Sequence, residues 1–159
     1  ERVETYWLNS LWVVTVIMWS IFQWWGLWGL SVELTKWNYL QYWIMVTNLA
    51  SIYFFTTLVL PKATDEGTIN LRDHYYSVHT AFFIIVAYSL YSSSVINFYL
   101  FGEDLISIAV IAPFVVGCLA LAAAFVKTQR YHQIIGILIL IIFLNFQLSD
   151  TLVIEYVPS

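Results

Sequence analysis

The sequence predicts an all-α, polytopic transmembrane helix bundle of about five spanning helices, and three observations predict it. Hydrophobic residues make up 61% of the chain and charged residues only 10%, whereas a soluble domain carries roughly a quarter charged residues to cover its surface. Five stretches run almost free of Asp, Glu, Lys and Arg for about 19 residues or more, close to the length a helix needs to cross a hydrocarbon core. The few positive charges sort by side when the chain is threaded through five spans, as the positive-inside rule requires.

The first stretch covers 6–30 and the second 37–60, which Pro61 ends because proline cannot continue a helix ladder. The third covers 75–99, the fourth 105–126 and the fifth 133–153. The fifth is the least regular, being interrupted by Asn145, Gln147, Ser149 and Asp150. The first is not a signal peptide: it is too long for an h-region, rich in tryptophan, and lacks a small-residue cleavage site. The chain opens on Glu1, so it reads as starting inside a longer gene product or after processing.

Five spans put the termini on opposite sides. Arg2, Lys62, Arg72, Lys127 and Arg130 then share one side, with Lys36 alone on the other. That places the N-terminus and the 61–74 and 127–132 connections in the cytoplasm, with Glu33, Glu103, Asp104, Glu155 and the C-terminus outside. The net charge of −4 matters less than this arrangement. With six Lys+Arg and no basic stripe, a nucleic-acid partner is disfavoured.

All eight tryptophans fall in the first two spans. Trp7, and the set Trp24, Trp25, Trp28 and Trp37, lie near the ends of that hairpin, where indole rings anchor at the headgroup level. Trp12 and Trp19, one heptad apart, are expected to pack against a neighbouring helix or lipid. A tryptophan cage for a cation lacks a clustered acidic partner. In the third span Ser89, Ser93 and Asn97 recur at i, i+4 and i+8, with Ser92 beside them. Such a stripe must face protein or water, so it either bonds a neighbouring helix or lines a polar path. In the fourth span Ala109, Pro113, Gly117, Ala120 and Ala124 permit close helix approach, and Pro113 predicts a kink. Cys118, the only cysteine, reads as a small hydrophobe in a helix interface.

The titratable candidates gather on the cytoplasmic side as Arg72, Asp73, His74, His79 and His132. Asp73 suits the N-terminal end of the third helix, where backbone N–H groups are unsatisfied. His74 and His79 are five residues apart, off the i, i+4 relation, and so make a poor bidentate metal pair. Asp150 reads as a solvated interfacial carboxylate or as a path residue near Asn145 and Ser149. No nucleophile motif, phosphate-binding glycine loop or paired carboxylates are present in the sequence, and no cofactor is expected.

Pro61, the turn Asp65-Glu66-Gly67, the run Leu71-Arg72-Asp73-His74-Tyr75-Tyr76 and the pair Phe82-Phe83 form a recognisable set. With Tyr6-Trp7, Leu11-Trp12 and Phe22-Gln23-Trp24-Trp25, this region resembles a family of small, uncharacterised bacterial integral membrane proteins. Members carry a proline, an acidic turn and a Leu-Arg-Glu-His-Tyr-type motif between two hydrophobic helices. The resemblance covers roughly Tyr6 to Phe83. Where the family tends to have basic residues after the His-Tyr motif, this chain has Ser77, Val78, His79 and Thr80. The resemblance implies residence in a bacterial inner membrane and assigns no activity.

The functional expectation is therefore a non-enzymatic membrane protein acting through helix association, as a homo-oligomer or with another membrane protein, in contact with lipid. The Trp-rich hairpin and the small-residue face of the fourth span are the expected contacts. One alternative is a channel or transporter with Ser89, Ser93, Asn97, Asn145 and Asp150 along its path. A second is a cytoplasmic-face metal or haem site at His74, His79 and His132.

Overall fold

The computed structural model describes residues 2–33, 38–61 and 68–150, with side chains described over 5–26, 38–61 and 70–145. Five helices dominate: α1 (Trp7–Glu33), α2 (Tyr39–Val59), α3 (Leu71–Tyr99), α4 (Ile108–Phe125) and α5 (Gln129–Asp150). Two three-residue strands, β1 (Arg2–Glu4) and β2 (Thr68–Asn70), pair in parallel, with Val3 opposite Ile69. This clip ties the N-terminal segment to the start of α3. Three helices, α2, α3 and α4, are long and apolar enough to cross a membrane. α1, at 27 residues, is longer than two of these.

Each expected span is a helix, with shifted ends. α2 starts where Asn38 and Gln41 form a reciprocal cap, each side chain accepting from the other's backbone N–H. α3 begins at Leu71 rather than near 75, because the Asn70 side chain accepts from the backbone N–H groups of Arg72 and Asp73. Arg72, Asp73 and His74 therefore belong to the first turn of the helix. Gly102, at φ 69°, turns the chain out of α3 toward α4. α5 begins at Gln129, which puts His132 inside a helix and not in a connection.

The core is a set of helical stripes. Leu8, Trp12, Val16 and Trp19 of α1 meet Ile52, Phe55 and Val59 of α2, Phe82, Phe83 and Val86 of α3, Ala120 and Ala124 of α4, and Ile135 and Ile139 of α5. Trp12 stands edge-on to both Phe82 and Phe83, at 5.0 and 5.3 Å between ring centres. Trp19 packs on Phe55 and stacks on Phe143. The two deep tryptophans thus face neighbouring helices, and Trp24 is 75% exposed.

α4 lies closest along α3, and glycine is the reason. A Cβ at Gly117 would stand 2.8 Å from the Tyr91 ring, so this position admits no side chain without moving Tyr91. Val116, Gly117, Ala120, Ala123 and Ala124 are all buried inside the chain. The small-residue face expected to contact another molecule is thus occupied by α3. Cys118, expected in a helix interface, lies instead on the outer surface, with the Tyr91 hydroxyl 3.5 Å from its sulfur.

Outside the core, polar and apolar residues are distributed in the reverse of a soluble protein. On α1 the buried side chains include Asn9 and Thr15, while Val14, Ile17 and Ile21 are exposed. Hydroxyls on α1, α2 and α3 mostly bond back to their own helices: Thr15 to Leu11, Ser20 to Val16, Thr56 to Ile52 and Ser93 to Ser89, each onto a carbonyl four residues earlier. This arrangement satisfies a hydroxyl without water.

Candidate functional site

The residues richest in chemistry meet where α1, α3 and α5 come together at the end bearing the α4–α5 connection. His132, fully buried in the first turn of α5, is the hub. Its ring lies against Tyr75, Tyr76, His79 and Phe83 of α3, with centre-to-centre distances of 5.3 to 5.8 Å. Tyr6, just ahead of α1, closes the group through its hydroxyl, 3.4 Å from that of Tyr76.

The hydrogen bonds fix the tautomer of His132. Nε2 faces the Val126 carbonyl at 2.5 Å, and a carbonyl can only accept, so Nε2 carries the proton. Nδ1 then accepts from the Tyr75 hydroxyl at 2.9 Å. Val126 caps the C-terminal end of α4, where carbonyls have no helical partner. The other histidines follow the same rule. His74 Nε2 donates to the Leu58 carbonyl in the last turn of α2, at 3.0 Å. His79 Nδ1 donates to the Tyr76 carbonyl at 2.7 Å, and Thr80 donates to the Ala124 carbonyl near the end of α4 at 3.1 Å. His74, His132 and Thr80 thus complete the ends of α2 and α4, where helix dipoles favour donors.

Of the sequence-derived cluster, the structure unites only His79 and His132, at 5.5 Å between ring centres. His74 turns away to α2. Arg72 and Asp73 are exposed, and Arg72 Nη2 lies 3.4 Å from the Gln129 side-chain oxygen. With one nitrogen of His132 protonated and the other accepting from Tyr75, no lone pair remains for a metal. Among the described residues, no three of His, Cys, Asp or Glu gather in a metal-binding arrangement.

The second candidate set disperses. Ser89 is buried, its carbonyl accepting from the Asn48 amide at 3.2 Å and from the Ser93 hydroxyl at 2.9 Å. The Asn97 amide donates to the Ala109 carbonyl at 2.7 Å. That carbonyl would ordinarily pair with the N–H of residue 113, which is proline and has none. Asn97 therefore fills the vacancy that Pro113 creates. Asn145 is exposed toward the far end of α5, a helix that packs on α1 and α4. Asp150 ends α5, and its side chain lies outside the described residues.

No protein-family model, no curated protein and no solved structure matches the chain.

Sequence reasoning missed Asn48, which joins three helices: it accepts from the Gln23 amide at 2.9 Å while donating to the Ser89 carbonyl. It also missed Tyr6 and Tyr75 as polar partners. Tyr6, Trp12, Tyr75, Tyr76, Phe82 and Phe83 all meet around His132 or its ring neighbours. These rings form one packed aromatic site.

Proposed function

We propose that this chain is a non-enzymatic, multi-pass protein of a bacterial inner membrane that works through association of its helices, as a homo-oligomer or as a subunit of a larger membrane assembly. All five helices span, with the N-terminus and the α2–α3 and α4–α5 connections in the cytoplasm. The inside-out distribution of polar residues on α1 and the hydroxyls bonded back to their own helices support spanning. The resemblance to small bacterial membrane proteins agrees with the location.

The observation that carries association is Tyr88. It lies three residues from the midpoint of α3, about 4.5 Å along the axis. The side chain is 45% exposed and its hydroxyl has no hydrogen bond to another described residue. A bare phenol near the centre of a bilayer meets only hydrocarbon, and burying an unpartnered hydroxyl is costly. A helix from another chain offering an acceptor removes that cost. Tyr91, Phe114 and Cys118 lie on the neighbouring surface of α3 and α4.

Extraction in native lipid followed by native mass spectrometry tests this reading. More than one chain per particle, or co-extraction of a second protein, is expected, with Tyr88→Phe lowering the associated fraction. A lone monomer at all protein-to-lipid ratios would overturn it.

A further inference from the structure

We infer that the cytoplasmic end of α5 holds an anionic phospholipid, its phosphate between Arg130, Lys127 and Arg72 and an acyl chain along Ile134, Ile137 and Ile141. This rests on the membrane-spanning reading above and adds to it a specific lipid.

The charge pattern is the first support. Arg72, Lys127 and Arg130 are exposed, and among the described residues none of them is in an ion pair. From Leu105 to Ser149 the sequence has no acidic residue, so the α4–α5 connection is purely cationic. The contact of Arg72 with Gln129 brings a third positive charge from α3 to the same turn. Phosphate groups suit such a cluster, because arginine presents a planar fork of donors to phosphate oxygens.

The apolar surface beneath supplies the second. Arg130, Ile134, Ile137 and Ile141 fall at i, i+4, i+7 and i+11, one stripe of α5, and all four are exposed. Eleven residues rise about 16 Å at 1.5 Å per residue, close to one leaflet of a hydrocarbon core about 30 Å thick. Phe125, two residues before Lys127, is also exposed. Cation above and one leaflet of aliphatic surface below match a phospholipid in charge and in length. Basic clusters at the cytoplasmic ends of transmembrane helices bind anionic headgroups in this way, at about 1 kcal/mol per Lys or Arg.

The test is native mass spectrometry of the purified full chain with equal amounts of dioleoyl phosphatidylglycerol and dioleoyl phosphatidylcholine. Preferential retention of phosphatidylglycerol is expected. R72Q, K127Q and R130Q each should weaken it about fivefold, the equivalent of about 1 kcal/mol per charge. Glycerol phosphate at the same concentration should not displace the lipid, because it lacks the acyl chain. Equal retention of both lipids, undiminished phosphatidylglycerol in the triple variant, or displacement by glycerol phosphate would each overturn the inference. Alkaline carbonate extraction separates the two levels of the argument. Release from the membrane would remove the spanning reading and the lipid site together, whereas retention without lipid preference would remove only the lipid site.

Discussion

Replacing Asn97 tests how this bundle tolerates a proline in the second turn of a membrane-grade helix. Pro113 deprives the Ala109 carbonyl of its helical donor, and the Asn97 amide occupies that carbonyl at 2.7 Å. Asn97→Ala therefore leaves a backbone acceptor unsatisfied between α3 and α4. An orphaned buried acceptor costs about 1–3 kcal/mol, and interhelical polar contacts in membrane proteins fall toward the lower end, about 0.6–1.7 kcal/mol. The expected loss is about 1–2 kcal/mol. In a Pro113→Ala background the N–H of residue 113 is restored and the carbonyl regains its helical bond. Asn97→Ala should then cost about 0.5 kcal/mol or less, giving a coupling of about 1 kcal/mol in a double-mutant cycle. Reversible unfolding in mixed detergent micelles, followed by tryptophan fluorescence, measures all four corners. Equal costs of Asn97→Ala in both backgrounds would refute the reasoning and return Asn97 to the role of lining a polar path.

Three further outcomes follow from the packing. His132→Phe keeps a ring in the aromatic site but strands the Val126 carbonyl and the Tyr75 hydroxyl, so it should cost roughly 2–3 kcal/mol, against about 1 kcal/mol for Tyr75→Phe, in the same unfolding assay. Gly117→Leu should destabilise by about 1–3 kcal/mol through overpacking, with part recovered when Tyr91→Ala opens the space; no recovery would show that the clash lies elsewhere. Trp12→Ala should cost about 3–5 kcal/mol and Trp24→Ala under about 0.5 kcal/mol, because the first is 1% exposed and the second 75%.

Much of this architecture was legible in the sequence because apolar runs and their interruptions map directly onto helices. The connections were harder. Counting apolar residues placed the third span at 75 and the fifth at 133, yet the helices start at Leu71 and Gln129. A first helical turn is often polar, and its residues look like loop until the cap is known. Asn70 was that cap for α3. His132 was read as part of a connection for the same reason. Asn97 shows a different limit. Its partner is set by a proline on the next helix, and the spacing of Ser89, Ser93 and Asn97 within α3 alone gave no hint of it. The small residues of α4 announced a close approach correctly but not its partner, because that required knowing that Tyr91 stands opposite Gly117. The aromatic site was partly visible as a motif, though its buried hub, His132, lies more than fifty residues from Tyr75.

The central claim is that the chain crosses the membrane five times with its N-terminus inside, and sidedness of the connections tests it most directly. Single cysteines at Glu33, Asp73, Glu103 and Thr128, in a chain with Cys118→Ser, would be labelled in intact cells with a membrane-impermeant maleimide. The account predicts labelling at Glu33 and Glu103 from outside, and at Asp73 and Thr128 only after the membrane is opened. Labelling of Thr128 from outside, or of Glu33 and Asp73 from the same side, would contradict it.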